Sequence, residues 1–106
     1  MNIIEQLYDE IHSPKITPHD LLRNVKLDNY LSIDFKYQDN FLIATSTCLV
    51  DNKIATFTYS FQNDKLISLR SIYDGEENEV YNRDEEIQRY YKKAKNLIYS
   101  ESNAVV

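Results

Sequence analysis

The sequence predicts an α+β fold in two layers. Two N-terminal helices precede a four-stranded antiparallel meander, and a long C-terminal helix lies on one sheet face. Three observations lead there. Apolar residues recur at helical spacing at both ends of the chain. Between residues 30 and 73 the period drops to two. Polar Asn/Asp pairs interrupt that central stretch at even intervals. The length, 106 residues, suits a single domain, 1–106.

Residues 2–12 form the first helix, with Ile3, Ile4, Leu7, Tyr8 and Ile11 on one stripe and acids opposite. Ser13-Pro14 stops it, because the residue before proline is pushed out of helical geometry. Thr17-Pro18-His19-Asp20 opens a second, short helix through Val25, with a capping threonine, proline at the first position and an acid at the third.

Leu31, Ile33, Phe35 and Tyr37 then alternate with Ser32, Asp34 and Lys36 as a half-buried strand does. Strands over 41–50, 53–61 and 66–73 follow, separated by Asp39-Asn40, Asp51-Asn52 and Asn63-Asp64. Asn and Asp tolerate the left-handed backbone of tight turns. Two-residue turns put Leu31, Ile33, Phe35, Leu42, Ala44, Cys48, Ala55, Phe57, Tyr59 and Phe61 on one face. For the fourth strand a two-residue turn at Asn63-Asp64 would place Leu66 and Arg70 on that face, whereas a three-residue loop including Lys65 would place Ile67, Leu69 and Tyr73 there instead; the second is preferred because it keeps Arg70 out of the core. Residues 74–78 read as a turn, and 79–81 are long enough for a short fifth strand. Asn82 caps the last helix, whose stripe is Ile87, Tyr90, Tyr91, Ala94, Leu97 and Ile98; residues 100–106 are expected to fray.

Several function classes lose their support at this level. The single glycine, Gly75, leaves no phosphate-binding glycine loop and no nucleophile elbow. One cysteine, Cys48, permits neither an internal disulfide nor a thiolate metal site. The first residues do not resemble a signal peptide, no apolar run approaches a membrane span, and the expected compartment is the cytoplasm. No catalytic set, cofactor motif or metal-ligand spacing is present. His12 and His19 are the only histidines, and a ligand pocket between sheet and helices would need them or Tyr59 in its lining.

Two features point to partners. Residues 74–86 hold seven acids against one base, Arg83, within a chain of net charge −5. Helix-dipole compensation accounts for Asp84, Glu85 and Glu86 but not for Glu76, Glu77 and Glu79. Those three are candidates for meeting a basic protein surface. The second feature is the sheet's other face, where Thr47 opposes Thr56 and Ile43 and Ile72 make the surface more apolar than solubility requires. It suits a protein partner or a second copy. The expectation is therefore a small, acidic, non-catalytic binding protein of the inhibitor, immunity-factor, chaperone or adaptor kind. The alternative is a nucleic-acid-binding module using Arg89, Lys92, Lys93 and Lys95 with interleaved tyrosines, which the net charge opposes. A small-ligand-binding protein is the third reading.

Overall fold

The computed structural model describes residues 2–104, with side chains described through residue 100. The elements run α1 (Ile3–His12), α2 (Pro18–Asn24), β1 (Tyr30–Gln38), β2 (Phe41–Val50), β3 (Lys53–Gln62), β4 (Lys65–Tyr73), β5 (Glu76–Asn82) and α3 (Arg83–Ala104). The class is α+β with an open antiparallel sheet in the order β1-β2-β3-β4-β5. The chain divides into two compact units, Pro14–Asn82 and Met1–Ser13 with Arg83–Val106.

The Pro14–Asn82 unit is the meander with α2 on one face. Thr17 caps α2 in a reciprocal box, its hydroxyl accepting from the Asp20 N–H and its own N–H donating to the Asp20 carboxylate. Leu21 of α2 is fully buried against Ala44, Tyr59, Phe61 and Leu66, with Ile16, Phe35 and Leu42 packed around them. The Tyr59 and Phe61 rings stack, their centroids 6.1 Å apart. Small Ala44 makes room for a helix here, as the low side chains mid-sheet require.

Every turn between strands uses left-handed backbone: Asp39, Asp51-Asn52, Asn63-Asp64 and Asp74-Gly75 all have positive φ. This moves the last turn. Asp74-Gly75 alone makes it, so 76–78 belong to β5, which is longer than the 79–81 segment expected.

Two bulges correct the expected facing. Tyr30 pairs with Cys48 and Ser32 with Thr47, leaving Leu31 as an extra residue that is 53% exposed, so Tyr30 takes the core-face place expected for Leu31. In β4 the turn is two residues, which puts Leu66 opposite Phe61 in the core. A bulge then restores the other register, placing Leu69 opposite Tyr59 and Tyr73 opposite Ala55. The two alternatives for this strand are thus each realised in part, and Arg70 stays off the core face.

The second unit pairs α1 with the long C-terminal helix α3. Arg83, 4% exposed, donates from Nη1 to the Glu10 carbonyl and from Nη2 to the Ser13 carbonyl at 2.6 Å. It thereby satisfies acceptors at the C-terminal end of α1. The apolar stripes are only partly covered. Ala94 is buried, whereas Ile4, Tyr8, Tyr91 and Ile98 are all more than half exposed. The helix continues through Ala104 where fraying was expected; residues 105 and 106 lie outside the described residues. Among the described residues no helix is long and apolar enough to cross a membrane.

Candidate functional site

The sheet face opposite Leu21 gathers most of the residues singled out above. Strand pairing sets Thr45 opposite Thr58, Thr47 opposite Thr56, and Thr56 opposite Ile72, while Ile43 pairs with Ser60. The Thr–Thr pairs agree with the sequence register. β-branched side chains on adjacent strands form a stiff surface with hydroxyls and methyls at regular intervals. Ile54 and Ile72 stand out from it, 61% and 49% exposed. Ile43, Thr47 and Thr56 are half-buried between neighbouring strands.

The acidic triad does not act as one group. In β5, Glu77 and Glu79 point to this Thr-rich face, opposite Ile72 and Arg70, while Glu76 pairs with Tyr73 on the other face. Arg70 is clasped by both, Nε to Glu77 at 3.0 Å and Nη1 to Glu79 at 3.3 Å. One guanidinium between two carboxylates leaves an acidic rim along this edge of the face. The sequence carried the signal for this: Glu77 and Glu79 are two apart, hence on one strand face, but only if the strand starts at Glu76.

The four basic residues of the alternative site lie in the other unit. Arg89 is tied to Glu86 at 2.5 Å, and that bond raises its pKa. Arg89 and Lys93 also sit over the Tyr90 ring, 4.6 and 5.8 Å from its centroid, and Lys95 lies over Tyr99. Lys92 is exposed.

His19 lines an open groove of about 530 Å³ with Thr17, Pro18, Leu22, Phe35, Leu42 and Asp64; Tyr59 is not in its wall. His12 is in the other unit, its ring 4.3 Å from Tyr8. Among the described residues no three His, Cys, Asp or Glu side chains converge as a metal site requires. Cys48 is buried, and desolvation pushes its thiol pKa up, which disfavours the reactive thiolate. Burial raises the Tyr59 pKa in the same way.

No protein-family model matches the chain, and neither does any curated protein or solved structure. The functional reading therefore rests on the geometry alone.

Proposed function

We propose that this chain is a small, acidic, non-catalytic binding protein that works in the cytoplasm by covering a partner's surface, as an inhibitor, immunity factor, chaperone or adaptor does. The observation that carries it is the Thr-rich sheet face: a regular surface with Ile54 and Ile72 raised from it and an acidic rim at Glu77 and Glu79. An apolar patch bordered by charge is how protein–protein interfaces are built, and the rim selects a partner with a basic surface. Placing Thr47→Lys with Thr56→Lys sets two like charges opposite each other in the middle of the face, at a stability cost of about 1 kcal/mol or less. The expected result, with the chain as bait, is that proteins retained by the natural sequence are lost with the double variant. Glu77→Lys with Glu79→Lys should slow capture most at low salt, and Glu76→Lys, on the opposite face, should not. Identical retention by all four baits would refute this reading.

One observation favours the nucleic-acid alternative: Tyr91 and Tyr99 are 54% and 60% exposed beside Lys95, so stacking platforms are available. Salt-sensitive binding of a single-stranded oligonucleotide, lost with Tyr91→Ala and Tyr99→Ala, would decide for it.

A further inference from the structure

We propose that β1 is a dimerisation edge, on which a second copy of this chain adds its own β1 in antiparallel register centred on Phe35. The two-residue turn at Asp39-Asn40 joins β1 to β2 by a Gln38–Phe41 pair. Residues flanking such a turn exchange hydrogen bonds, and the pattern then alternates along the strand. Lys36 and Asp34 therefore bond to β2, while Ile33, Phe35 and Tyr37 turn their N–H and C=O groups to the outer side of the sheet.

Side chains select the register. Across β2, Asp34 faces Thr45 and Lys36 faces Ile43, so neither has an opposite charge across the ladder. Two antiparallel edges related by a two-fold axis meet with residues of the same face opposed, so one central residue defines the pairing. Centred on Phe35, Asp34 of each copy opposes Lys36 of the other. These are non-hydrogen-bonded pairs, where side chains come closest. On the core face, Ile33 opposes Tyr37 and Phe35 opposes its own counterpart, which covers a Tyr37 that is 83% exposed. About six backbone hydrogen bonds form across the seam. Centring on Asp34 or on Lys36 instead opposes like charges, so the sequence itself excludes the neighbouring registers.

The opposite edge lacks this property. Glu76, Glu77 and Glu79 give β5 charges of one sign, and its pairing with β4 is broken by an irregularity beside Arg70, both of which deter strand addition. With β1 used by both copies and β5 defended, the assembly closes as a dimer rather than growing as a fibre.

The test combines sedimentation with residue-resolved amide exchange on the full chain. Dimerisation should rise with concentration, and the Ile33, Phe35 and Tyr37 amides should gain protection with it, while Asp34 and Lys36 amides are protected throughout. Asp34→Lys and Lys36→Asp should each weaken the dimer about tenfold or more, and the combined exchange, which recreates the opposite-charge pairs, should restore it to within a few-fold. A chain that stays monomeric at every concentration, a dimer insensitive to the single changes, or protection gained on the Thr47/Thr56 face or along α1 and α3 instead would each overturn the proposal.

Discussion

Replacing Arg83 by methionine keeps most of the aliphatic volume and removes the fork that holds the end of α1. Two hydrogen bonds from a charged donor are lost, each worth about 1.5–3 kcal/mol, a gross change of about 3–6. Two effects reduce it. Methionine has no guanidinium to desolvate, and the half-buried Ser13 carbonyl regains water. A net loss of about 3 kcal/mol remains. A ten-residue helix is marginal without its tertiary partner, so the loss falls on α1. Amide exchange across Ile3–His12 should accelerate about 100-fold, the equivalent of that energy, while amides of β2 and β3 are unchanged. Arg83→Lys should recover only part, since one ammonium on a flexible stem replaces a planar fork poorly. Acceleration of less than about fivefold in the methionine variant would refute the view that this side chain holds the α1–α3 pair together.

Two further outcomes follow from titratable groups. Asp20 is held at about 2, below its usual 3.8, first by the Thr17 N–H, then by Arg23 at 2.7 Å and the Thr17 hydroxyl. A depressed carboxylate stabilises the folded state above its unfolded pKa, so protection of α2 amides should be full above pH about 4 and fall between about 4 and 2; Asp20→Asn should remove that dependence. Cys48 should react slowly with a bulky thiol reagent in the native chain and rapidly in urea, because it lies buried between Tyr30 and Ala55; fast stoichiometric labelling without denaturant would contradict the register.

The meander was legible because its determinants are local. Asn/Asp pairs tolerate positive φ, period two assigns faces, and the first two hairpins impose one consistent pattern on 41–61. Bulges were not legible. Leu31 and the β4 irregularity each shift a face by one residue, and no residue type announces an inserted residue when glycine is absent. The fifth strand was underestimated because Glu76, Glu77 and Asn78 are poor β-formers; their place comes from pairing with Tyr73, Ile72 and Ser71. The clasp on Arg70 depends on the same pairing. Spacing shows the helical stripes, but periodicity does not say what covers them, and Ile4, Tyr8, Tyr91 and Ile98 are mostly exposed. Arg83 counted as a lone base among acids, and its role depends on a carbonyl 73 residues away.

The union of the first helix with the last has a consequence for how the molecule is made. Each meander strand pairs with the one just before it, so that sheet can assemble while the ribosome is still at work, hairpin by hairpin. α1 precedes the meander and its partner follows it, and the contact between Ser13 and Arg83 spans 70 residues. Closing so long a loop in a disordered chain is entropically unfavourable, but a finished meander between the two points makes it a short step. Until then the apolar side of α1 is without its partner, which leaves this helix dependent on holdase chaperones and open to proteases.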